Sequence, residues 1–195
     1  MNGGQFSVNS GQLAVLGDRM MTLTETDQVQ DWEKLWAPYD EPTYEVVLQA
    51  IQPDDVVLDI GAGDLRLARR MAVKARQVYA WEIQAGLLAE NCVNLPDNLA
   101  VCGTDARYET VPNGVTVAVL LMRHCQHFGL YVKKLRAAGC QRLLTNARWG
   151  MNVEVIDLQA PRMLFTAMPM GWFACWCGHT GFKAGPAERL TWEME

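Results

Sequence analysis

The fold of this chain is decided by the stretch Val56-Val57-Leu58-Asp59-Ile60-Gly61-Ala62-Gly63-Asp64-Leu65-Arg66. An apolar run meets an acid, then a tight Gly-x-Gly turn, then a helix-forming segment. A second apolar run, Gln77 to Trp81, ends at the acid Glu82. The glycines let the backbone approach a ligand closely, and an acid at the tip of the next strand can accept hydrogen bonds from both ribose hydroxyls. The pattern predicts a strand–turn–helix–strand unit that binds a nucleoside.

The residues of the turn bear on which nucleoside binds. A dinucleotide fingerprint needs a third glycine and a turn that holds a pyrophosphate at a helix N-terminus. Here Arg66 stands at the third-glycine position. Asp64 puts a negative charge inside the turn, where it would repel a phosphate and attract an ammonium, and Asp59 adds to that charge. A ligand with a ribose, an amino group and no phosphate therefore fits better than NAD.

On these residues, the stretch resembles motif I of the class I S-adenosylmethionine-dependent methyltransferases. The resemblance implies that Glu82 binds the cofactor ribose and that Asp59 orients the methionine end. It also implies that Asp105, after the third strand, meets the adenine amino group, although an aspartate there is equally typical of an Asx turn. The cofactor-binding residues implied in this way are Tyr39, Asp59, Gly61, Ala62, Gly63, Asp64, Leu65, Glu82, Ile83, Thr104, Asp105, Ala106 and Met122.

A second resemblance lies upstream, in Tyr39-Asp40-Glu41-Pro42-Thr43-Tyr44. Together with the segment from Asp59 to Arg66, it is similar to a small class I subgroup with a Gly-x-Gly-Asp-Gly-Arg motif, which includes protein-lysine methyltransferases. Leu65 stands where that motif has a glycine. The similarity implies that Tyr39 borders the cofactor or the substrate mouth, and a helix–helix turn with an aromatic plug is the alternative.

We expect the methyl acceptor to bind at the end of the fourth predicted strand, because ligands of parallel sheets bind beyond the carboxyl ends of the strands. Enzymes that methylate exocyclic base amines commonly have an Asn/Asp-Pro-Pro-aromatic motif here. This segment lacks that motif, which argues against such an acceptor. His124 and His127 are candidate general bases, since an imidazole titrates near neutral pH, and Arg123 lies beside them. Alternatively, one of these histidines caps a helix and the other is a surface residue. Methyl transfer can also need no base and depend on positioning alone.

Strand-like and helix-like segments alternate along the chain, which indicates a parallel sheet with helices on both faces. We predict an α/β fold with a doubly wound, mostly parallel sheet of the seven-stranded type and an antiparallel C-terminal edge. That edge would come from the strand-like segments 153–158 and 172–177. The predicted central strands are 56–60, 77–81, 99–102, 115–122 and 141–146, and the predicted helices are 27–37, 42–51, 65–75, 85–94 and 128–138.

Length and composition suit one domain with a substantial core, because the chain has 195 residues and half of them are apolar. We expect an N-terminal arm at 1–26 and a single methyltransferase domain at 27–195. The net charge of −5 argues against a globally basic nucleic-acid binder. No apolar run reaches the length of a membrane span and the first residues do not resemble a secretory signal, so we expect a cytoplasmic protein.

Six cysteines lie scattered through the sequence, and with a good core they favour reduced thiols over a disulfide framework. Cys175, Cys177 and His179 invite a metal site, with a fourth ligand from elsewhere. The spacing is poor for zinc if the segment is an extended strand. We therefore expect no metal and interpret these cysteines as small hydrophobic residues of a buried strand.

The resemblance and the intact motif predict an enzyme that uses S-adenosylmethionine to methylate a protein side chain or a small molecule. RNA is the alternative acceptor, because a predicted helix carries a basic face and basic residues follow it. The residues concerned are Lys133, Lys134, Arg136, Arg142 and Arg148. A binding module that keeps the cofactor fold without catalysis is a further alternative, although such a module should lose Asp59 and Glu82 first.

Overall fold

The computed structural model describes residues 39–123, 125–149 and 152–185, and the backbone of residues 4–6. Most of the predicted arm at 1–26 lies outside the described residues, as do the predicted helix 27–37, His124 and the C-terminal residues from 186. The helices are α1 (Glu41–Ala50), α2 (Arg66–Ala72), α3 (Ala85–Asn91) and α4 (Phe128–Ala137). The strands are β1 (Gly4–Phe6), β2 (Val56–Ile60), β3 (Gln77–Glu82), β4 (Leu99–Gly103), β5 (Val117–Leu120), β6 (Arg142–Thr145), β7 (Glu154–Asp157), β8 (Gly171–Ala174) and β9 (Thr180–Lys183).

Seven strands form one sheet in the order β1-β4-β3-β2-β5-β6-β7. The five central strands are parallel to one another, and β7 pairs antiparallel with β6 at the C-terminal edge. β1 pairs antiparallel with β4 at the other edge. The α/β fold class with its antiparallel C-terminal edge is therefore confirmed. None of the helices in the described ranges is long and apolar enough to cross a membrane.

Alternating side chains of the central strands supply two separate cores, one on each face of the sheet. Val57 packs in the cluster that contains α1, α2 and α3, while its neighbour Leu58 packs in the cluster that contains α4. Both side chains are fully buried. Because successive residues of a strand point to opposite faces, a strand buried on both faces has a continuous apolar sequence, and this is why β2 and β5 could be identified from the sequence.

The C-terminal segment differs from the expectation. Only the first strand-like segment joins the sheet, as β7; the second becomes β8, which pairs with β9 in a separate antiparallel hairpin. The predicted strand 172–177 is wrong beyond Ala174 because the chain reverses there. Gly178 has a φ of +98°, and its N–H donates to the carbonyl of Cys175 at 3.0 Å. That left-handed glycine closes the turn that periodicity alone reads as extended chain.

The amino ends of three central strands are held by one buried carboxylate, that of Asp55. It accepts hydrogen bonds from the Thr116 hydroxyl at 2.8 Å and from the Gln52 N–H at 2.7 Å. Arg142 donates to both of its oxygens, at 3.0 and 2.7 Å. These residues precede or begin β2, β5 and β6, so the network aligns the strands at the edge of the sheet opposite the candidate site.

Candidate functional site

A cavity of about 650 Å³ lies at the carboxyl ends of β2, β3, β4 and β5. This size suits a small-molecule ligand. Of the residues that the sequence predicted to bind a cofactor, all except Leu65 line it. The cavity-lining residues among them are Tyr39, Asp59, Gly61, Ala62, Gly63, Asp64, Glu82, Ile83, Thr104, Asp105, Ala106 and Met122. The structure thus brings these residues together, and their role in binding stays a prediction.

The Gly-x-Gly turn is tied to the end of β3 by its own backbone. The N–H groups of Gly61 and Ala62 both donate to the carbonyl of Trp81, at 2.8 and 2.9 Å. Gly61 has a φ of +76°, and a Cβ at this position would lie 3.1 Å from Cε of Met122. Glycine is therefore required there for its backbone conformation and for the space beside Met122.

Glu82 is buried at the tip of β3, and its carboxylate closes the loop after β2. Oε2 accepts the N–H of Gly63 at 2.8 Å, and Oε1 accepts the N–H of Gln84 at 2.9 Å. A carboxylate oxygen has two acceptor positions. Each oxygen of Glu82 therefore keeps one position for a ligand, as the two hydroxyls of a ribose require.

Asp59 is the second buried acid of the cavity, with only 4% of its surface exposed. Within the described part of the chain, no group donates a hydrogen bond to its carboxylate. Burial, with a smaller contribution from the nearby carboxylate of Glu82, raises the pKa of Asp59 to about 7. A cation bound in the cavity would favour the charged form of Asp59, so this side chain is suited to receive an ammonium group.

Asp64 occupies the N-terminus of α2. Its Oδ1 accepts the N–H of Arg66 at 3.2 Å, and its carboxylate forms an ion pair with the Arg66 guanidinium. Dinucleotides place their pyrophosphate at this end of the corresponding helix. An aspartate in that place makes the turn unsuitable for a phosphate, as the sequence predicted.

Leu65 does not line the cavity, unlike the other predicted cofactor-binding residues. Its side chain is fully buried in the core beneath the turn. Its backbone has a φ of +64°, the left-handed conformation that glycine adopts without strain. The resemblance identified a position where the turn needs a glycine-like backbone, whereas the leucine side chain contributes to packing.

Asp105 lies in the cavity wall, where Arg107 engages its carboxylate. Arg107 Nε lies 2.9 Å from both Asp105 oxygens, and the Arg107 backbone N–H donates to Oδ1 at 3.0 Å. The hydrogen bonds from Arg107 hold the pKa of Asp105 below its usual value. This is the Asx turn that the sequence left open. Among the described residues, no group accepts a hydrogen bond from the Ala106 N–H, which therefore remains available to a ligand.

Arg123 and His127 line the cavity beyond the end of β5, while the candidate base His124 lies outside the described residues. The Tyr39 hydroxyl donates to the carbonyl of Leu121 at 3.1 Å, and the Arg123 guanidinium lies 5.2 Å from the centre of the Tyr39 ring. Tyr39 thereby connects the segment before α1 to the end of β5.

Several cavity residues were not predicted. Tyr131 lies one helical turn after His127 on α4, so helical spacing was the signal that could have found it. Arg107 and Gln84 follow predicted residues by one or two positions. The other lining residues that the sequence analysis missed are Tyr44, Ile60, Arg66, Leu67, Trp81 and Leu121.

The predicted state of the last two cysteines is wrong. Cys175 and Cys177 form a disulfide, and both are exposed in the turn between β8 and β9, so they are neither reduced nor buried strand residues. Cys92, Cys102, Cys125 and Cys140 do not take part in a disulfide. Within the described residues, no group of three or more His, Cys, Asp or Glu side chains is placed to hold a metal ion.

Replacing Asp59 by asparagine should change how stability depends on pH. A raised pKa in the folded protein means that the favourable contribution of protonated Asp59 is present below pH 3.8 and is lost as the pH rises through about 7. Asp59→Asn removes this loss. The difference in unfolding free energy between Asp59→Asn and the native protein should therefore increase from pH 3.8 to about 7. Above this range it should stay constant, after a total increase on the order of 4 kcal/mol.

Urea denaturation at several pH values between 5 and 8.5 measures this difference. The exposed Asp54 offers a matched control, because Asp54→Asn should give a curve parallel to that of the native protein. A constant offset for Asp59→Asn over the whole range would contradict the assignment of a raised pKa to Asp59.

No protein-family model matches the sequence, and no curated protein matches it. Among solved structures, similarity is found to the DhpI–SAH complex, with 19% identity, a TM-score of 0.50, and coverage of 62% of this chain and 64% of that one. Precorrin 8W decarboxylase of Methanobacterium thermoautotrophicum has 18% identity, a TM-score of 0.49, and coverage of 55% and 63%. The 23S rRNA methyltransferase ErmE has 22% identity, a TM-score of 0.44, and coverage of 55% and 46%.

The chain thus spans less than two thirds of the length of each of these three structures. At such identities the similarity concerns the fold. The sheet order, with its antiparallel β7 next to β6, and the cavity beyond the Gly-x-Gly turn agree with it. The predicted fold is confirmed: this chain has a Rossmann-like α/β fold, to which the DhpI–SAH complex is similar.

Proposed function

We propose that this protein is an S-adenosylmethionine-dependent methyltransferase that methylates a nucleophile on a protein side chain or a small molecule. The observation that carries the proposal is the pair of buried acids in one cavity. Glu82 keeps one acceptor position on each oxygen, and Asp59 has no donor among the described residues. A ribose and an ammonium, held by the same small molecule, satisfy both carboxylates.

Different residues of the cavity would bind different parts of the cofactor. Glu82 would accept hydrogen bonds from the ribose hydroxyls, and Asp59 would face the ammonium of the methionine end. The free N–H of Ala106, with Ile83 and Thr104 in the same wall, would hold the adenine. When bound, the cofactor supplies an electrophilic methyl group on a sulfonium. The protein's task is then to hold the acceptor in line with it.

A nicotinamide dinucleotide suits the same cavity less well. The Asp64 carboxylate already accepts the N–H of Arg66 at the start of α2, so a pyrophosphate there would meet a negative charge instead of free donors. A cofactor with no phosphate avoids this repulsion. The charge of the turn therefore supports S-adenosylmethionine over NAD.

The residues around Met122 would position the acceptor. Tyr39 donates one hydrogen bond to the Leu121 carbonyl, so this carbonyl keeps one acceptor position toward the methyl acceptor. Arg123 and His127 are exposed at the cavity mouth. We infer that His127 takes the acceptor proton where the nucleophile carries one at neutral pH, and that Arg123 orients the acceptor. His124 remains a candidate for the same proton.

The contacts of the basic residues favour a protein or small-molecule acceptor over RNA. Arg142 is bound to Asp55, and Arg148 is paired with Glu154. Arg136 lies on the ring of Trp176, 3.6 Å from its centre, and Lys134 donates to the Ala106 carbonyl at 2.5 Å. Side chains engaged in this way are poor counterions for phosphates. RNA remains the second candidate acceptor, because Lys133 is exposed.

Glu82→Gln should weaken S-adenosylhomocysteine binding at least about tenfold, because a buried acceptor of two hydroxyls contributes a few kcal/mol. The ribose assignment also predicts a particular ligand dependence. The native protein should bind the 2′-deoxy analogue of S-adenosylhomocysteine more weakly than the parent compound, and Glu82→Gln should reduce this discrimination. Calorimetric titration of both ligands into both proteins measures the four affinities.

The exposed Glu90 on α3 supplies the matched control, since Glu90→Gln should leave all affinities unchanged. Because Glu82 also holds the N–H groups of Gly63 and Gln84, the discrimination between the two ligands is the decisive readout. Equal discrimination in the native protein and in Glu82→Gln would show that Glu82 supports the loop without contacting the ribose.

The transfer reaction itself predicts incorporation of label. We expect that the purified protein, given S-adenosylmethionine with an isotopically labelled methyl group and a cell extract, labels the protein or the small-molecule fraction. The Asp59→Ala variant should abolish this labelling. Labelling confined to RNA would contradict the proposed acceptor class. Binding of S-adenosylmethionine with no labelling in any fraction would favour the non-catalytic module.

A further inference from the structure

The turn between β8 and β9 carries a disulfide that no part of the proposed reaction uses. The turn residues are Cys175, Trp176, Cys177, Gly178 and His179. The N–H of Cys175 donates to the carbonyl of His179 at 2.7 Å, which closes the turn. The Cα atoms of the two bonded cysteines lie 5.1 Å apart.

This disulfide is poorly placed to stabilise the fold. A cross-link stabilises a protein mainly by restricting the unfolded chain, and this effect grows with the length of the closed loop. Cys175 and Cys177 are separated by one residue, which is close to the smallest loop a chain can close. Both cysteines are exposed, so a thiolate in solution can reach the sulfur atoms.

Basic side chains and a backbone N–H lie around the two cysteines. His179 Nδ1 lies 3.4 Å from Sγ of Cys177, and the backbone N–H of Cys177 lies 3.2 Å from Sγ of Cys175. Arg136 and Arg162 have their guanidinium groups 3.6 and 5.1 Å from the centre of the Trp176 ring.

A third arginine, Arg148, donates to the carbonyl of Ala174 at 3.0 Å and contacts that of Cys175. Hydrogen bonds donated to sulfur, such as that from the Cys177 N–H, stabilise thiolates, and exposed cysteines with such donors are reactive. The buried Cys140 is the opposite case, because burial raises the pKa of its thiol to about 11.

The same turn packs directly on the start of α4. A Cβ built on Gly129 would lie 3.3 Å from Cα of Cys177, and a Cβ on Gly178 would lie 3.2 Å from Cβ of Phe128. Phe128 is buried and follows His127, which lines the cavity. The turn therefore contacts the residues of α4 that directly follow His127.

We propose that Cys175 and Cys177 form a reversible dithiol–disulfide site that exchanges with soluble low-molecular-weight thiols and sets the packing of the first turn of α4. A thiolate attacks one sulfur of the pair, and the other sulfur leaves as a thiolate. A second small thiolate then attacks the sulfur of the small thiol in this mixed disulfide. The soluble disulfide is released, and the protein cysteine leaves as a thiolate. Two electrons pass from the two small thiols to the pair, and the two protons of those thiols end on Cys175 and Cys177.

The redox equilibrium is tested on the purified full chain in buffers of oxidised and reduced glutathione. Samples are quenched with acid, alkylated and analysed by mass spectrometry of the peptide that contains residues 175–177. We expect a single two-electron transition within the range of glutathione buffers, approached equally from the oxidised and the reduced protein. A pair that stays fully oxidised or fully reduced throughout the range would overturn the proposal.

His179→Gln tests the contact that favours the thiolate. Alkylation of the reduced pair at pH 7 should become several-fold slower, because the thiolate fraction falls. Lys133→Gln removes an exposed cation of α4 for which the structure shows no contact with the turn, and it should leave the rate unchanged. An equal rate in His179→Gln and the native protein would contradict the role of His179.

Hydrogen exchange measures the coupling to α4 without any methyl acceptor, so it is independent of the proposed function. The backbone amides at the start of α4 should exchange several-fold faster in the reduced protein than in the oxidised one. The double variant Cys175→Ser, Cys177→Ser should show the faster exchange in both buffers, whereas Cys92→Ser should behave as the native protein. Identical exchange in the two redox states of the native protein would overturn the coupling.

Discussion

The site depends on the carboxylate of Glu82, which joins two strands and a turn. Its oxygens accept the N–H of Gly63 after β2 and the N–H of Gln84 after β3. Both donors belong to backbone that has no partner in the sheet ladder, so removing the acceptor would leave buried N–H groups unpaired. A carboxylate with two fixed donors is also rigid, and rigid acceptors bind ligand hydroxyls at a lower entropic cost.

The second constraint is the proximity of Asp59 to Glu82. Burial raises the pKa of Asp59, and the nearby carboxylate of Glu82 adds to this effect because two charged acids in one cavity repel each other. A ligand that brings a positive charge relieves the repulsion, whereas a phosphate increases it. These two acids would therefore favour a cationic ligand, such as the proposed cofactor with its ammonium and sulfonium groups.

Local sequence patterns predicted the parts of the molecule that are themselves local. The buried strands have continuous apolar sequences, and motif I contains Asp59 and Gly61 within a few residues, so the fold and the cavity wall were predictable. Contacts between side chains distant in sequence were not. Arg142 pairs with Asp55, 87 positions away in sequence. Its charge is therefore not part of the basic surface that the sequence predicted as a possible RNA contact.

Turns were the other source of error. Cys175, Cys177 and His179 alternate as residues of a strand would, and only the left-handed Gly178 shows that the chain reverses there. Leu65 adopts a conformation that the sequence assigns to glycine, because burial of its side chain offsets backbone strain. In both cases the decisive term is a backbone angle, which residue periodicity does not encode.

The central claim is that the cavity binds S-adenosylmethionine, and calorimetric titration of the purified chain tests it most directly. Titrations with S-adenosylmethionine, S-adenosylhomocysteine and NAD are compared in the same buffer. The account predicts micromolar binding of the first two and no binding of NAD. Binding of NAD without binding of the other two would contradict it, as would the absence of binding by all three.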